Sequence, residues 1–320
     1  MGLLKTTFKN RRFILFVVEN IVIIGSGIAG LTAAIYNARA GLKPLVVSGK
    51  DEGGQLMLTT AVENFPCFPE GINGPEMISK ARGQAKKFGA RFADGNVSKV
   101  EKKGNGFAVE TEDGKVEGKA VIIATGASAK TLGMESEKKY WARGVHTCAV
   151  CDGYFYNGKE VVVVGGGDSA MEESLFLAKH ATKVTIIHRR DKFRASKIMQ
   201  DRVKANTKIK ILWNSTVEDV LGDGKKVTSV KIKNVKNNGS SKMKTDAVFL
   251  AIGHIPNTKF LGNLVELDKQ GFIKATNTHT NVPGIFAAGD CVDKIYRQAV
   301  MAAGDGCRAA IEAEKYLETS

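Results

Sequence analysis

The sequence predicts an α/β protein in which one strand–turn–helix–strand plan is used twice, the second copy inserted into the first. Three observations carry that expectation. A glycine turn between an apolar strand and a helix occurs at "NIVIIGSGIAG" and again at "EVVVVGGGDSAMEESLFLAKH". Each copy then runs through short strands with turn dipeptides to a closing apolar strand, "VIIATG" in one and "VFLAIG" in the other. Beyond Gly253 the chain offers one strand, "GIFAAGDC", and one helix pattern beginning near Arg297, too little for a third domain and suited to completing the first. Each copy has the βαβ order of a Rossmann-like dinucleotide-binding domain. The expected division is 1–129 and 259–320 for the first domain and 130–258 for the insertion.

Residues 1–17 are expected to be an extra extension. They hold four basic residues and the start of an apolar run that is too short to span a bilayer, with no small-residue cleavage site behind it. The run leads directly into the first strand. Gly25, Gly27 and Gly30 follow as Gly-x-Gly-x-x-Gly. In that pattern the first glycine permits the tight turn and the second lets backbone approach a pyrophosphate. The third lets helix and strand pack closely, and the helix N-terminus meets the phosphate charge. An alanine-rich helix then runs to Ala40, is stopped by Gly41, and leads to the strand "PLVVSG". The acid that would hold a ribose diol about 20 residues on is displaced. Asp51 or Glu52 takes that role slightly late, or it falls elsewhere.

The second turn is Gly165, Gly167 and Ala170. Where an acid would select NAD, after "KVTII", stand His188, Arg189 and Arg190, with Arg194 four residues further. Guanidinium groups suit a 2′-phosphate, so NADPH is the expected ligand. A transient nicotinamide at the second turn leaves a resident flavin, FAD, for the first. The tail agrees. Asp290 after Gly289 suits a hydrogen bond to a ribitol chain, and a helix N-terminus near Arg297, Gln298 and Ala299 would stabilise the charge of reduced flavin.

Just before the second turn lies "VHTCAVCDGYF", with Cys148 and Cys151 spaced Cys-x-x-Cys. A zinc site needs further ligands, but Cys67, Cys291 and Cys307 are isolated and the five histidines show no matching spacing, so no metal is expected. A structural disulfide here would close only a short loop and contribute little. A redox dithiol fits the surrounding flavin and nicotinamide signals, and Asp152 places a proton donor beside the sulfurs.

Composition bounds the remaining choices. In 320 residues, 43% are hydrophobic and 25% charged, the balance of a water-soluble globular chain. Five cysteines argue against a disulfide-built secreted scaffold and for a reducing, cytoplasmic setting. The net charge of +14 would permit contact with nucleic acid, but basic residues are spread without aromatic interleaving. Neither a nucleic-acid nor a membrane partner is expected.

With these motifs in hand, residues 20–316 closely resemble the low-molecular-weight thioredoxin reductases. The resemblance rests on "GSGIAG", "GGQL" with "VENFP", "CAVCDG", "GGGDSAMEE", "HRRDKFRAS" and "GIFAAGDC...RQAVMAAGDG", in that order. It implies a homodimer that passes electrons from NADPH through FAD and a Cys148–Cys151 disulfide to thioredoxin. It implies that Gln55, Asn64, Asp290, Arg297, Gln298 and Ala299 lie against FAD. Cys151 would face the flavin, Cys148 would attack the substrate disulfide, and Asp152 would be the acid. Arg143, Tyr154 and Phe155 match positions that dock thioredoxin. The resemblance also implies rotation of the inserted domain about crossings near 127–130 and 254–258. Ile28 stands where proline is common, Val150 where threonine is frequent, and Cys67 where glycine is frequent. Another disulfide protein, glutaredoxin-like or a peroxidase, remains an alternative acceptor, and a non-turnover flavin sensor an alternative function.

Overall fold

The computed structural model describes residues 18–49, 52–59 and 61–320, so the extension 1–17 and Asp51 lie outside the described residues. Strands Arg91–Ala93, Leu45–Val47, Val18–Ile24 and Gly114–Ile123 lie side by side in parallel, and Ile285–Ala287 pairs with the second half of Gly114–Ile123. The first half of Gly114–Ile123 instead pairs antiparallel with Gly106–Thr111, which pairs with Val97–Lys103. One long strand therefore serves both a parallel sheet and a meander. The tail strand joins the sheet begun by the first 123 residues, across all that intervenes.

A second sheet runs Val145–His146, Ala247–Ala251, Glu160–Gly165, Lys183–Ile187 and Ile209–Leu212, all parallel. It carries its own meander, Ser215–Gly222, Val227–Asn234 and Ser240–Lys244. These are two Rossmann-like units. Strands covered on both faces need continuous apolar runs rather than alternation. Ile21, Val22, Ile23 and Ile24 are all buried in the first sheet, as are Val161 to Val164 in the second. Between the units, Ala127–Ala129 and His254–Pro256 pair as a two-stranded antiparallel ribbon. Among the described residues no helix is long and apolar enough to cross a membrane.

Small residues draw two helices together over the first sheet. Helix Ile28–Arg39 buries Ala29, Ala33, Ala34 and Ala38, and helix Ala299–Thr319 buries Ala302, Gly306, Ala309, Ala310 and Ala313. At the crossing, a Cβ on Gly306 would stand 2.1 Å from the Ala29 carbonyl oxygen. Asn37 donates a 2.9 Å hydrogen bond to the Ala310 carbonyl and fixes the register of the tail helix. That helix thereby holds its N-terminal end, at Gln298 and Ala299, over the first glycine turn's end of the sheet.

Gly306 and Gly304 share the tail helix and differ in surroundings, since nothing lies within 4 Å of a Cβ on Gly304. Gly306→Ala should destabilise the chain by about 1–3 kcal/mol through overpacking. Gly304→Ala should instead stabilise it by up to about 1 kcal/mol through helix propensity. Denaturant unfolding of the two variants checks the contrast, and equal effects would refute the close crossing.

Candidate functional site

The first glycine turn is closed at two of its glycines and open at the third. A Cβ on Gly25, whose φ is +110°, would meet the Ala124 carbonyl oxygen at 2.3 Å, and one on Gly30 would meet the Gly25 oxygen at 2.0 Å. On Gly27 the nearest atom would be the Gly53 oxygen at 3.9 Å. Gly27 is also the N-cap of helix Ile28–Arg39 and makes no side-chain cap, which leaves the first amides directed at open space. Free amides and the positive end of a helix dipole form an anion cradle.

That turn opens into a cavity of about 1850 Å³, larger than the roughly 300–1,000 Å³ that encloses a drug-sized ligand. Gly25, Gly27, Gln55, Asn64, Asp290, Arg297, Gln298 and Ala299 all line it. Chain positions far apart meet there: the Asn64 amide donates to Gln298 Oε1 at 3.3 Å. Gln298 is the uncapped N-cap of helix Ala299–Thr319, so a second set of helix amides faces the cavity. Glu52 lines the cavity and lies against Arg82. The residues fit an extended dinucleotide with its phosphates at Gly27 and its ring system toward Gln298.

Cys148, Cys151 and Asp152 line the same cavity, from the inserted unit. The cysteines form a disulfide across the turn Ala149–Asp152, and the Cys151 amide donates to Cys148 Sγ at 3.2 Å. Cys151 is exposed and Cys148 partly so. Two residues invisible to motif reading complete the surroundings of Asp152: His146 and, beyond it, Tyr156, in a continuous hydrogen-bonded chain. The one available signal was the position of His146 two residues before Cys148.

The second glycine turn repeats the first in its contacts. Cβ atoms on Gly165 would meet the Ala251 oxygen at 2.5 Å and the Ala170 methyl at 2.7 Å, while Gly167 is open. Gly165, Gly167 and Ala170 do not line the large cavity. The backbone amides of Arg194 and Ala195 donate to the Gly166 oxygen, folding that basic loop onto the turn. Arg189, Arg190 and Arg194 are exposed beside it. His188, expected beside the arginines as a ligand residue, has a packing role in the structure. It is buried, its Nε2 donates to the Lys192 carbonyl at 3.0 Å, and its ring packs against Phe193 and Trp213 beneath Gly166.

Of the three proposed docking positions, Arg143 and Phe155 share a small surface cavity of about 240 Å³. Tyr154 does not join them; it is exposed and sets its ring edge against His180. Cys67 is exposed at φ +77°, a backbone conformation glycine adopts freely, which gives a physical reason for glycine at that position.

Charge in the cavity is unevenly paired. Burial pushes the Asp290 carboxyl up to about 6, with Asp293 adding to it and Arg297 opposing. Burial pushes Glu173 up to about 8, against the pull of Arg297, and its Oε2 has no hydrogen-bond partner. Burial, then Arg297 and Lys130, push His254 down to about 4. Arg297 thus acts on groups from the tail, the inserted unit and the connecting ribbon. Neither Glu173 nor His254 was legible as a cavity residue in the sequence.

The sequence profile of the family described as "Pyridine nucleotide-disulphide oxidoreductase" matches residues 19–306. A thioredoxin reductase from Rickettsia conorii is 49% identical over 306 residues, covering 94% of this chain and 99% of that protein. The crystal structure of thioredoxin reductase from Streptococcus pyogenes superimposes with a TM-score of 0.91 at 42% identity, covering 95% of this chain and all of that one. The Lactococcus lactis thioredoxin reductase, solved in an "FR conformation", has the same 42% identity and covers 94% of this chain and 100% of that one, with a TM-score of 0.65.

Glu173 generates a prediction with a definite sign. Between 4.5 and about 8 the unfolded chain has lost a proton that the folded chain keeps, so this group's contribution to stability falls as pH rises through that window. Glu173→Gln removes the dependence. The melting temperature of the variant relative to the parent should rise from pH 5 to pH 8; a pH-independent difference would mean the carboxyl ionises normally.

Proposed function

The chain belongs to the pyridine nucleotide-disulphide oxidoreductase family, and from that premise we propose that it is a thioredoxin-disulfide reductase, using NADPH as reductant and FAD as resident group. One observation carries the reading: the Cys148–Cys151 disulfide and Asp152 line the same cavity as the first glycine turn and the Gln298 helix end. FAD bound there would supply two-electron acceptance from a nicotinamide and donation to a disulfide.

The chain's own residues divide the remaining work. Gly27 and the helix amides behind it hold a pyrophosphate, and Gln55, Asn64, Asp290 and Arg297 orient the group. Ala299 and Gln298 present positive helix-end charge to its ring system. Once reduced, Cys148 attacks the disulfide of thioredoxin, Asp152 protonates the departing sulfur, and Cys151 displaces the product by closing the disulfide again. Arg143, Tyr154 and Phe155 form the docking surface. Arg189, Arg190 and Arg194 bind the 2′-phosphate of NADPH at the second turn, with Gly165, Gly167 and Ala170 admitting its pyrophosphate.

Because the disulfide lines the large cavity while Gly165, Gly167 and Ala170 do not, nicotinamide and disulfide would use the flavin in alternation. The inserted unit, 130–258, rotates on the ribbon that joins it to 1–129 and 259–320. Two relatives of equal identity but TM-scores of 0.91 and 0.65 support two such arrangements. The protein acts as a cytoplasmic homodimer.

Arg189 and Arg190, replaced together by alanine, should raise KM for NADPH by about a hundredfold or more and leave NADH nearly unaffected. Each lost charge-assisted bond is worth about 1.5–3 kcal/mol, and about 1.4 kcal/mol is tenfold. Equal losses with both cofactors would show that these arginines do not read the phosphate. Cys148→Ser should retain FAD and its bleaching by NADPH while thioredoxin reduction falls to background. Undiminished thioredoxin turnover would remove the dithiol from the mechanism. Running the parent protein against thioredoxins and glutaredoxins of its host tests the choice of acceptor.

A further inference from the structure

We propose that Tyr156, His146 and Asp152 form a proton path that reloads Asp152 from the outer surface of the inserted unit, independently of the flavin cavity. The inference rests on the reading of Cys148–Cys151 as the redox pair. Reducing a disulfide to two thiols takes two electrons and two protons, whereas a hydride carries two electrons and one proton. One proton per turnover must therefore come from the medium. The acid beside the disulfide stands in a cavity that a bound cofactor fills, so its access to bulk water is restricted where it is needed.

The geometry supplies another route. His146 Nδ1 lies 3.0 Å from Asp152 Oδ2, and His146 Nε2 lies 2.7 Å from the Tyr156 hydroxyl. The imidazole is buried, 6% exposed, and is held on strand Val145–His146 opposite Phe249. Its ring stacks on Phe249 at 5.2 Å and takes the edge of Tyr156 at 5.3 Å. The chain of three joins two cavities. Asp152 and His146 line the large one with the disulfide, while Tyr156 lines the small outer one with Arg143, Lys159 and Asp246.

Hydrogen-bond chemistry permits two states. With Asp152 ionised, its oxygen can only accept, so Nδ1 carries the hydrogen and Nε2 accepts from the Tyr156 hydroxyl. With Asp152 protonated, its hydroxyl donates to Nδ1, Nε2–H donates to the Tyr156 oxygen, and the phenol hydrogen points outward. Water in the outer cavity converts the first state to the second. A proton of the medium, carried there as hydronium, passes to the Tyr156 oxygen and leaves neutral water, as the former phenol hydrogen passes to Nε2 and the Nδ1 hydrogen passes to Asp152. One proton enters at the outer end, one arrives at the carboxyl, and no group is left changed in charge except Asp152. Burial, and then the carboxylates of Asp152 and Asp246, hold Tyr156 in its phenol form above its ordinary range. The other charges facing the chain are Glu173 on the cavity side, Lys159 over the Tyr156 ring at 5.5 Å, and Arg143, Lys225 and Lys226 around the outer cavity.

Asp152 follows Cys151 directly and lines the same cavity as the disulfide, and His146 and Tyr156 act through it. The test uses the full chain loaded with FAD, with His146→Phe, His146→Gln and Tyr156→Phe. General acid–base assistance is worth about 10²–10⁴-fold, of which a relay carries a part. With NADPH and thioredoxin, kcat should fall about ten- to a hundredfold in both His146 variants and about three- to tenfold in Tyr156→Phe. KM for thioredoxin should stay within about twofold, and the pH profile of kcat should lose the limb that the relay sets. The loss should lie in the disulfide step rather than in flavin bleaching by NADPH. Separately, NMR of the cofactor-free chain should show a hydrogen-bonded His146 ring proton shared with Asp152, and that signal should be lost in Asp152→Ala. Parental kcat and pH profile in His146→Phe would overturn the path. So would equal losses in both half-reactions, which mark a structural role, or a His146 ring-proton signal unchanged by Asp152→Ala. A parent protein that reduces no disulfide protein would sink the reductase reading instead, while the NMR result still decides whether the three residues are coupled.

Discussion

The first strand hands the chain to its first helix at a place where no side chain fits. A Cβ on Gly25 would sit 2.3 Å from the Ala124 oxygen and one on Gly30 would sit 2.0 Å from the Gly25 oxygen. This closeness brings the strand end, the helix N-terminus and the closing strand Gly114–Ile123 to one point, and leaves Gly27 as open backbone facing the cavity. The tail helix depends on it too, because Gly306 meets Ala29 in the first turn of that same helix. The second unit reuses the constraint with Gly165, Ala170 and the Ala251 oxygen. Two cofactor cradles are thus two instances of one steric solution.

Electrostatics makes the two cradles different. At the second, Arg189, Arg190 and Arg194 are exposed and add to the helix-end potential, which suits a ligand that comes and goes with an extra phosphate. In the large cavity Arg297 is set among Asp290, Glu173 and His254, each moved from its ordinary range chiefly by burial. Asp290, near 6, and Glu173, near 8, are thereby brought toward neutral pH, while His254 is kept uncharged.

Local periodicity and turn glycines made the sheets legible, because a strand buried on both faces must be apolar throughout and a phosphate-approaching turn must lack side chains. The same logic placed Gly27, Gly167 and the Cys148–Cys151 pair. What stayed hidden is what depends on tertiary approach. Asn64 and Gln298 lie 234 positions apart, yet their side chains meet. Glu173 lies within a helix motif, and nothing in the sequence shows that its carboxyl is buried within reach of Arg297 from the tail. At His188, whose place after the strand suggested a ligand, the packing was hidden: Gly166 leaves space beneath the turn that the imidazole fills. A basic residue at a motif position can be a packing residue when a missing side chain opposite makes room.

The ribbon between the units is a narrow connection. Three residue pairs, His254 with Ala129, Ile255 with Ser128 and Pro256 with Ala127, join the two halves where the chain crosses. Thr125 Oγ1 donates to the Asn257 carbonyl at 2.7 Å, and Asn257 Nδ2 donates to the Thr125 carbonyl at 3.0 Å. These bonds stay within the ribbon and its base, so they can survive a rotation that separates Cys151 from the first glycine turn. Burial of His254 disfavours its charged form beside Arg297 and Lys130, which spares the ribbon a third positive charge. A connection kept intact by its own hydrogen bonds, bearing a cavity wall on each side, can reorient the disulfide without refolding either unit. That is the condition that the proposed alternation of two reactants at one site requires.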